Sequence, residues 1–164
     1  MSEALLSKLN FKDQDRVLVL QAPPEFQPVL ALWAKRAKVD TKAAPRKTYP
    51  FTMAFVQTAS DVKKFGLVAV KQLEGDGVCW MVYPKKTSKK YQATITRDTG
   101  WSLLGALGFE GVRMVAIDED WSALRFRRAE HIGSMIRRQS MALSQAGKSK
   151  TVNKTNKAIR GSKP

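Results

Sequence analysis

Residues 16–22 read Arg-Val-Leu-Val-Leu-Gln-Ala, and Pro23-Pro24 follow them directly. A nearly continuous apolar run of this length, ended by prolines, is typical of a strand that is buried on both faces of a sheet. Residues 78–83, Val-Cys-Trp-Met-Val-Tyr, have the same character. Strands of this kind occur mainly in parallel sheets with helices on both sides, so these two segments indicate an α/β protein.

Helical segments alternate with the predicted strands. A short leading helix is predicted over residues 2–9, and a longer one over residues 25–36 has apolar residues at helical spacing. A third helix is predicted to be capped by Ser60 and to reach residue 73. A weaker strand is predicted at residues 39–44, and another apolar strand at residues 51–58. Strands that alternate with helices favour βαβ units and a mostly parallel sheet.

The C-terminal part of this sheet is predicted to be an antiparallel hairpin. Residues 111–117 and 122–127 are apolar or alternating, and the polar residues 118–121 separate them as a turn. Gly75-Asp76-Gly77 is predicted to be a second turn. Between these segments, Asp98 or Thr99 is predicted to cap a short helix that runs to residue 108.

Composition divides the chain into three parts. The 164 residues carry a formal net charge of +15, and residues 129–164 hold eight Lys or Arg against one acid. We predict a folded domain over residues 1–128, a last helix over 129–146 and a disordered basic tail over 147–164, because the tail has too little apolar surface to offset its ordering entropy. No apolar run reaches the ~18 residues of a membrane span, and a single cysteine fits the cytoplasm, so we expect a cytoplasmic protein without a membrane partner.

Three further motifs resemble a known family. They are Tyr83-Pro-Lys-Lys, Thr96-Arg-Asp-Thr-Gly-Trp and residues 115–127, Val-Ala-Ile-Asp-Glu-Asp-Trp-Ser-Ala-Leu-Arg-Phe-Arg. Together they resemble a family of short bacterial proteins known only as a domain of unknown function, over residues 3–128. The order of elements is also similar to that of class I S-adenosylmethionine-dependent methyltransferases. Both resemblances imply a Rossmann-like fold: a mostly parallel sheet with a C-terminal antiparallel hairpin and helices on both faces.

The methyltransferase resemblance also implies a cofactor site that these residues do not reproduce. The turn after strand one needs glycines so that the backbone approaches the cofactor, whereas residues 21–26 read Gln-Ala-Pro-Pro-Glu-Phe. An acid at the end of strand two would hold the ribose, and we expect Asp40 to lie at the wrong end of that strand. The sequence therefore predicts no cofactor.

A basic segment follows the strand at residues 78–83. Ligands of open α/β sheets bind beyond the carboxyl ends of the strands, so this segment is a candidate site for a phosphate or carboxylate. The alternative is a solvated loop with ordinary surface lysines. The candidate anion-binding residues are Lys85, Lys86, Ser88, Lys89, Lys90 and Arg97.

Other chemically active residues have simpler interpretations. Trp101, Trp121, Ser122 and Arg125 form a second group. Trp101 is expected to pack on the sheet, and Trp121 either to anchor the hairpin turn against the core or to cover the crevice. Residues 118–120, Asp-Glu-Asp, are either a cation site or a solvated turn, and we predict no metal. His131 is the only histidine, which excludes a Ser-His-Asp triad within this chain. Cys79 is expected to be a buried apolar residue.

The remaining basic residues suggest contact with phosphate backbones. One group surrounds strand two: Lys35, Arg36, Lys38, Lys42, Arg46 and Lys47. The candidate nucleic-acid-binding residues in the tail are Lys148, Lys150, Lys154, Lys157, Arg160 and Lys163. Three hypotheses follow: a non-catalytic binding or regulatory module with an anion-binding rim, non-specific nucleic-acid binding through the tail, and a methyltransferase with an unusual cofactor pose.

Overall fold

A computed structural model of the protein describes residues 3–132. One six-stranded sheet has the order β2-β1-β3-β4-β6-β5. Its strands are β1 Arg16–Leu20, β2 Lys38–Asp40, β3 Tyr49–Phe55, β4 Leu73–Pro84, β5 Phe109–Ala116 and β6 Trp121–Arg128. The first four strands pair in parallel, and β6 is antiparallel to both β4 and β5. This arrangement confirms the Rossmann-like α/β fold with a C-terminal antiparallel hairpin.

Helices cover both faces of the sheet, as predicted. They are α1 Glu3–Lys8, α2 Gln27–Trp33, α3 Ala59–Asp61, α4 Leu67–Lys71 and α5 Ser102–Ala106, with a π-helical segment Val62–Gly66 joining α3 to α4. Side chains of a strand point alternately to opposite faces. In β1, Val17 and Val19 therefore join the cluster under α1 and α2, while Leu18 and Leu20 join the cluster under α4 and α5. We call these the first and the second face.

The predicted turn at Gly75-Asp76-Gly77 is wrong, because these residues lie inside β4. Between Tyr49↔Leu73 and Phe51↔Val78 the pairing of β3 with β4 shifts its register, so the glycines form a bulge. Gly75 has a φ of 51°, and a Cβ on Gly77 would lie 2.7 Å from the carbonyl oxygen of Pro50. The two glycines therefore serve a bulge within the strand.

Two predicted helix caps are also wrong. The Thr58 side chain, rather than that of Ser60, accepts a hydrogen bond from the backbone N–H of Asp61, at 3.1 Å. The helix α5 follows Trp101, and neither Asp98 nor Thr99 caps it. The Thr99 hydroxyl instead pairs with the hydroxyl of Thr96, at 2.9 Å.

The helix predicted over residues 25–36 is shorter and begins differently. A 3-10 turn over Pro24–Phe26 precedes α2, and the strand predicted at 39–44 is reduced to β2. At the end of the described chain, Ala129–His131 form a 3-10 turn and Ile132 is extended. The rest of the predicted last helix, and the tail with all its candidate lysines and Arg160, lies outside the described residues.

Candidate functional site

The carboxyl end of β1 is occupied by the chain's own side chains. Gln21 leaves the strand with a φ of 60°, a conformation that L residues rarely adopt. Pro23 and Phe26 are then buried. The Phe26 ring packs against Phe55, with 4.9 Å between centroids, and Phe55 packs against Trp121 at 5.1 Å. Aromatic rings therefore fill the space directly beyond β1.

Glu25, between these buried residues, is the centre of a hydrogen-bonded group. Its carboxylate accepts from the Tyr91 hydroxyl at 2.9 Å, from Trp121 Nε1 at 3.2 Å and from Lys90 Nζ at 3.4 Å. Tyr91 and Trp121 also contact each other, with ring centroids 4.7 Å apart. The group joins the turn after β1 to the loop after β4 and to the start of β6. We call Glu25, Tyr91, Trp121 and Lys90 the Glu25 cluster.

These hydrogen bonds set the charge state of Glu25. Partial burial alone would raise the pKa of this carboxyl group. Hydrogen bonds from Tyr91, the backbone N–H, Trp121 and Lys90 outweigh that effect and lower its pKa from 4.5 to about 2. Glu25 is therefore an anion with its acceptor sites engaged, which is the arrangement of a structural carboxylate.

The basic loop after β4 is held in a defined turn. The Lys85 N–H donates to the Asp120 carbonyl at 2.8 Å, and the Ser88 hydroxyl donates to Asp120 Oδ1 at 2.8 Å. The Ser88 Oγ in turn accepts from the Tyr91 N–H at 3.0 Å. Asp118, in the turn between β5 and β6, also fixes the backbone, because its Oδ1 accepts hydrogen bonds from the N–H groups of Asp120 and Trp121.

The structure brings five of the six predicted anion-binding residues together on this turn. Lys86 and Lys89 are exposed, and Lys85 is half-buried. Ser88 is committed to Asp120, and Lys90 pairs with Glu25 although its side chain is 61% exposed. We call residues 85–90 the lysine turn.

Arg97, the sixth residue, lies in a different environment. Its Nε is 3.4 Å from Asp98 Oδ1, and its carbonyl accepts from Trp101 Nε1 at 3.2 Å. Trp101 belongs to the second face, whereas Tyr91 packs against the first. Arg97 therefore lies beside the second face, whereas the lysine turn is joined to the first face through Tyr91.

Asp40 is not at the wrong end of its strand, and that expectation is corrected. It is the last residue of β2, paired with Leu18 in the middle of β1. The error arose because β2 has only three residues and ends before the predicted strand does. Asp40 Oδ2 accepts a hydrogen bond of 2.5 Å from the Tyr49 hydroxyl, so the acid is held against the second face.

The residues at these strand ends do not fit S-adenosylmethionine. A nucleotide-type cofactor needs backbone N–H groups and free space after β1. Pro23 and Pro24 have no N–H, Phe26 fills the space, and Glu25 is bonded within its cluster. Asp40 ends β2 two residues below the end of β1, and its carboxylate accepts a hydrogen bond from the Tyr49 hydroxyl.

The other candidate residues have structural roles or exposed positions. Trp101, Trp121 and Ser122 are buried, and His131 lies exposed in the last 3-10 turn. Cys79 is fully buried, and burial raises the pKa of its thiol to about 11. Among residues 3–132, no group of three or more His, Cys, Asp and Glu is placed to hold a metal ion. No helix in this part of the chain is both long and apolar enough to cross a membrane.

The Glu25 cluster was missed at the sequence level. No sequence pattern indicates Tyr91 as a site residue, because a lone tyrosine in a basic loop has no distinctive spacing. Glu25 carried a usable indication: it is an acid that follows a buried strand at the edge where α/β sheets place their functional groups.

The strand order and register define the class, a Rossmann-like α/β protein. Comparison with known proteins gives no family model that matches and no similar curated protein. Solved structures that align with this chain include a protein of the NADB-Rossmann superfamily from Streptococcus agalactiae, at 11% identity and TM-score 0.48 over 98% of this chain and 85% of that one. They also include an S-adenosylmethionine-dependent methyltransferase from Aquifex aeolicus, at 12% identity and TM-score 0.49 over 77% and 88%. A third is the N-methyltransferase NodS from Bradyrhizobium japonicum, at 12% and 0.47 over 76% and 93%. At these values the likeness adds nothing to what the topology shows, and the resemblance to a bacterial family of unknown function stays a prediction.

Proposed function

We propose that this chain is a non-catalytic Rossmann-like module that binds a small phosphate- or carboxylate-bearing ligand at the lysine turn. The observation that carries the proposal is the closure of the sheet edge beyond β1 by Phe26 and the Glu25 cluster. Because that position is filled, the basic groups beside it are the part of the edge that is free to meet a ligand.

The lysine turn has the properties that such a site needs. Its backbone is fixed by Asp120 through Lys85 and Ser88, so little ordering entropy is lost when a ligand binds. Exposed Lys86 and Lys89 then present mobile ammonium groups, which suit a phosphate as point charges. The neighbouring acid Asp118 has its Oδ1 occupied by the backbone N–H groups of Asp120 and Trp121.

Isothermal titration tests the proposal with three probes: inorganic phosphate, pyrophosphate and S-adenosylhomocysteine. The variant Lys85→Ala/Lys86→Ala/Lys89→Ala removes the free charges of the turn. The control Lys63→Ala/Lys64→Ala/Lys71→Ala removes the same charge from exposed helical positions. We expect pyrophosphate binding by the parent and the control, and loss of binding in the lysine-turn variant.

Two results would contradict the proposal. One is pyrophosphate affinity that the lysine-turn variant leaves unchanged, or no binding of either phosphate probe. The other is binding of S-adenosylhomocysteine that the lysine-turn variant leaves unchanged, which would restore the methyltransferase hypothesis. Arg97→Ala gives a separate measurement, since Arg97 lies away from the turn, and we expect a smaller loss of affinity.

Nucleic-acid binding through the tail is a second proposal, supported by the sequence alone. Residues 129–164 carry eight of the basic residues and only Glu130 as an acid. Binding of this kind depends steeply on salt because phosphate counterions are released. Retention of the full chain on single-stranded DNA should fall strongly when residues 147–164 are removed, and equal retention by the shortened chain would refute this role.

A further inference from the structure

Two arginines face each other on the hairpin, away from the lysine turn. Arg113 of β5 and Arg125 of β6 are direct cross-strand partners, and Arg125 is also the partner of Trp80 on β4. Directly opposed residues of an antiparallel pair project to the same side, with Cβ atoms about 5 Å apart. Trp80 belongs to the first face, so both arginines lie on that side of the sheet.

Acidic groups on this side lie beside a third arginine. Arg127, two residues further along β6, donates to Asp76 through Nε at 2.9 Å and through Nη2 at 2.6 Å. Its cross-strand partner is the buried Glu110. Asp76 is thus hydrogen-bonded to Arg127 and also attracts Arg125, while Arg113 and Arg125 lie directly opposite each other.

Arg125 carries a donor that the protein leaves unused. Its Nε is buried and has no hydrogen-bond partner. A buried donor without a partner costs free energy, and in native proteins such groups commonly meet an ion or a water molecule. Burial, followed by repulsion from Arg127 and Arg113, lowers the pKa of this guanidinium, although Asp76 attracts it.

We propose that Arg113 and Arg125 form a binding site for the phosphate group of a small molecule, on the first face of the hairpin. A guanidinium is planar and offers two parallel donors, which match two oxygens of a phosphate. One dianion bound by the terminal Nη groups of the two side chains cancels the repulsion across the strands. Exposed Arg113 closes over the ligand from β5, while half-buried Arg125 supplies the fixed base of the site.

This site is independent of the proposed function at the lysine turn. Trp80, level with Arg125, precedes Lys85 by five residues of extended strand, or about 16 Å. One phosphate group cannot span that distance, so each site can be removed without the other.

Nuclear magnetic resonance tests the proposal on the full chain, through the arginine Nε–Hε signals. The probes are inorganic phosphate and pyrophosphate, with sodium chloride at equal ionic strength as the reference. We expect the Arg125 signal to shift and saturate with the phosphate probes only. Arg125→Lys keeps the charge but removes the paired donors, and we expect at least about a tenfold loss of affinity. Lys63→Gln and the lysine-turn triple variant should keep the shift.

Several outcomes would overturn the inference. Equal shifts with chloride, or unchanged affinity in both Arg125→Lys and Arg113→Gln, would show that the pair binds no phosphate. Loss of the shift in the lysine-turn variant would place the ligand there instead. Binding of an oligothymidylate without binding of either phosphate probe would assign the face to nucleic acid. Arg113 is exposed, so Arg113→Gln keeps the test valid if Arg125→Lys fails to fold.

Discussion

The hydroxyl of Tyr91 donates a 2.9 Å hydrogen bond to Glu25 and so joins residues that are 66 positions apart in the chain. Glu25 begins the crossover from β1, and Tyr91 ends the basic turn after β4. The bond therefore ties the lysine turn to the edge of the parallel sheet, at the position where a ligand of this fold would otherwise lie.

Removing the Tyr91 hydroxyl should loosen this connection. We expect Tyr91→Phe to lower the free energy of unfolding by about 1–2 kcal/mol, because the charged carboxylate of Glu25 loses one of its hydrogen-bond donors. Urea denaturation near neutral pH measures the change. Lys90→Ala is the control: the Lys90 side chain is 61% exposed, and exposed ion pairs contribute little. Equal losses in the two variants would contradict the central role of Tyr91.

The charge of Glu25 predicts a pH dependence of stability. Its pKa is about 2 in the folded protein against an ordinary value of 4.5. A lowered folded-state pKa gives stability that is complete above about 4.5 and is lost as the pH falls toward 2. The parent should therefore exceed Glu25→Gln in unfolding free energy by the largest amount above pH ~5, with the difference shrinking on acidification. A difference that is constant with pH would show that the carboxylate charge does not contribute.

The apolar pattern of the strands was sufficient to predict the fold class. Both β1 and the second half of β4 are continuous apolar runs, which are typical of strands buried on both faces of a parallel sheet. The bulge at Gly75 and Gly77 was not predictable, since it depends on the approach of Pro50 from another strand. Asp40 was misplaced because strand ends are set by pairing partners, here Leu18 of β1. The Glu25 cluster depends on a contact with Tyr91 that no local spacing indicates.

The corrected cap of α3 gives a matched pair of variants. Thr58→Ala removes the oxygen that accepts from the Asp61 N–H, and we expect it to cost about 0.5–2 kcal/mol of unfolding free energy. Ser60→Ala, two residues later and inside the helix, should change stability by less than about 0.5 kcal/mol. Thermal or urea unfolding measures the loss of stability in each variant. A larger loss in Ser60→Ala would indicate that Ser60 caps the helix, as the sequence predicted.

Cys79 should be unreactive as long as the protein is folded. The thiol is fully buried within the second face, and burial raises its pKa to about 11, so almost no thiolate forms near neutral pH. We expect an aromatic disulfide reagent to label it only at the rate at which the chain opens. Labelling in denaturant should be complete within the mixing time. Rapid labelling of the native protein would show that β4 opens locally or that the thiol is accessible.

The opposed arginines on the hairpin predict a stabilising substitution. Like charges directly across two strands repel each other, and replacing one with an acid converts the repulsion into attraction. Arg113→Glu should therefore raise the unfolding free energy by about 0.2–1 kcal/mol in low salt, with a smaller gain in high salt. Arg46→Glu makes the same charge change at an exposed loop position and serves as the control. Added phosphate should stabilise the parent but not Arg113→Glu, because a ligand that binds only the folded state raises its stability. If Arg113→Glu destabilises the protein while Arg46→Glu does not, the repulsion between Arg113 and Arg125 is already relieved by other groups on that face.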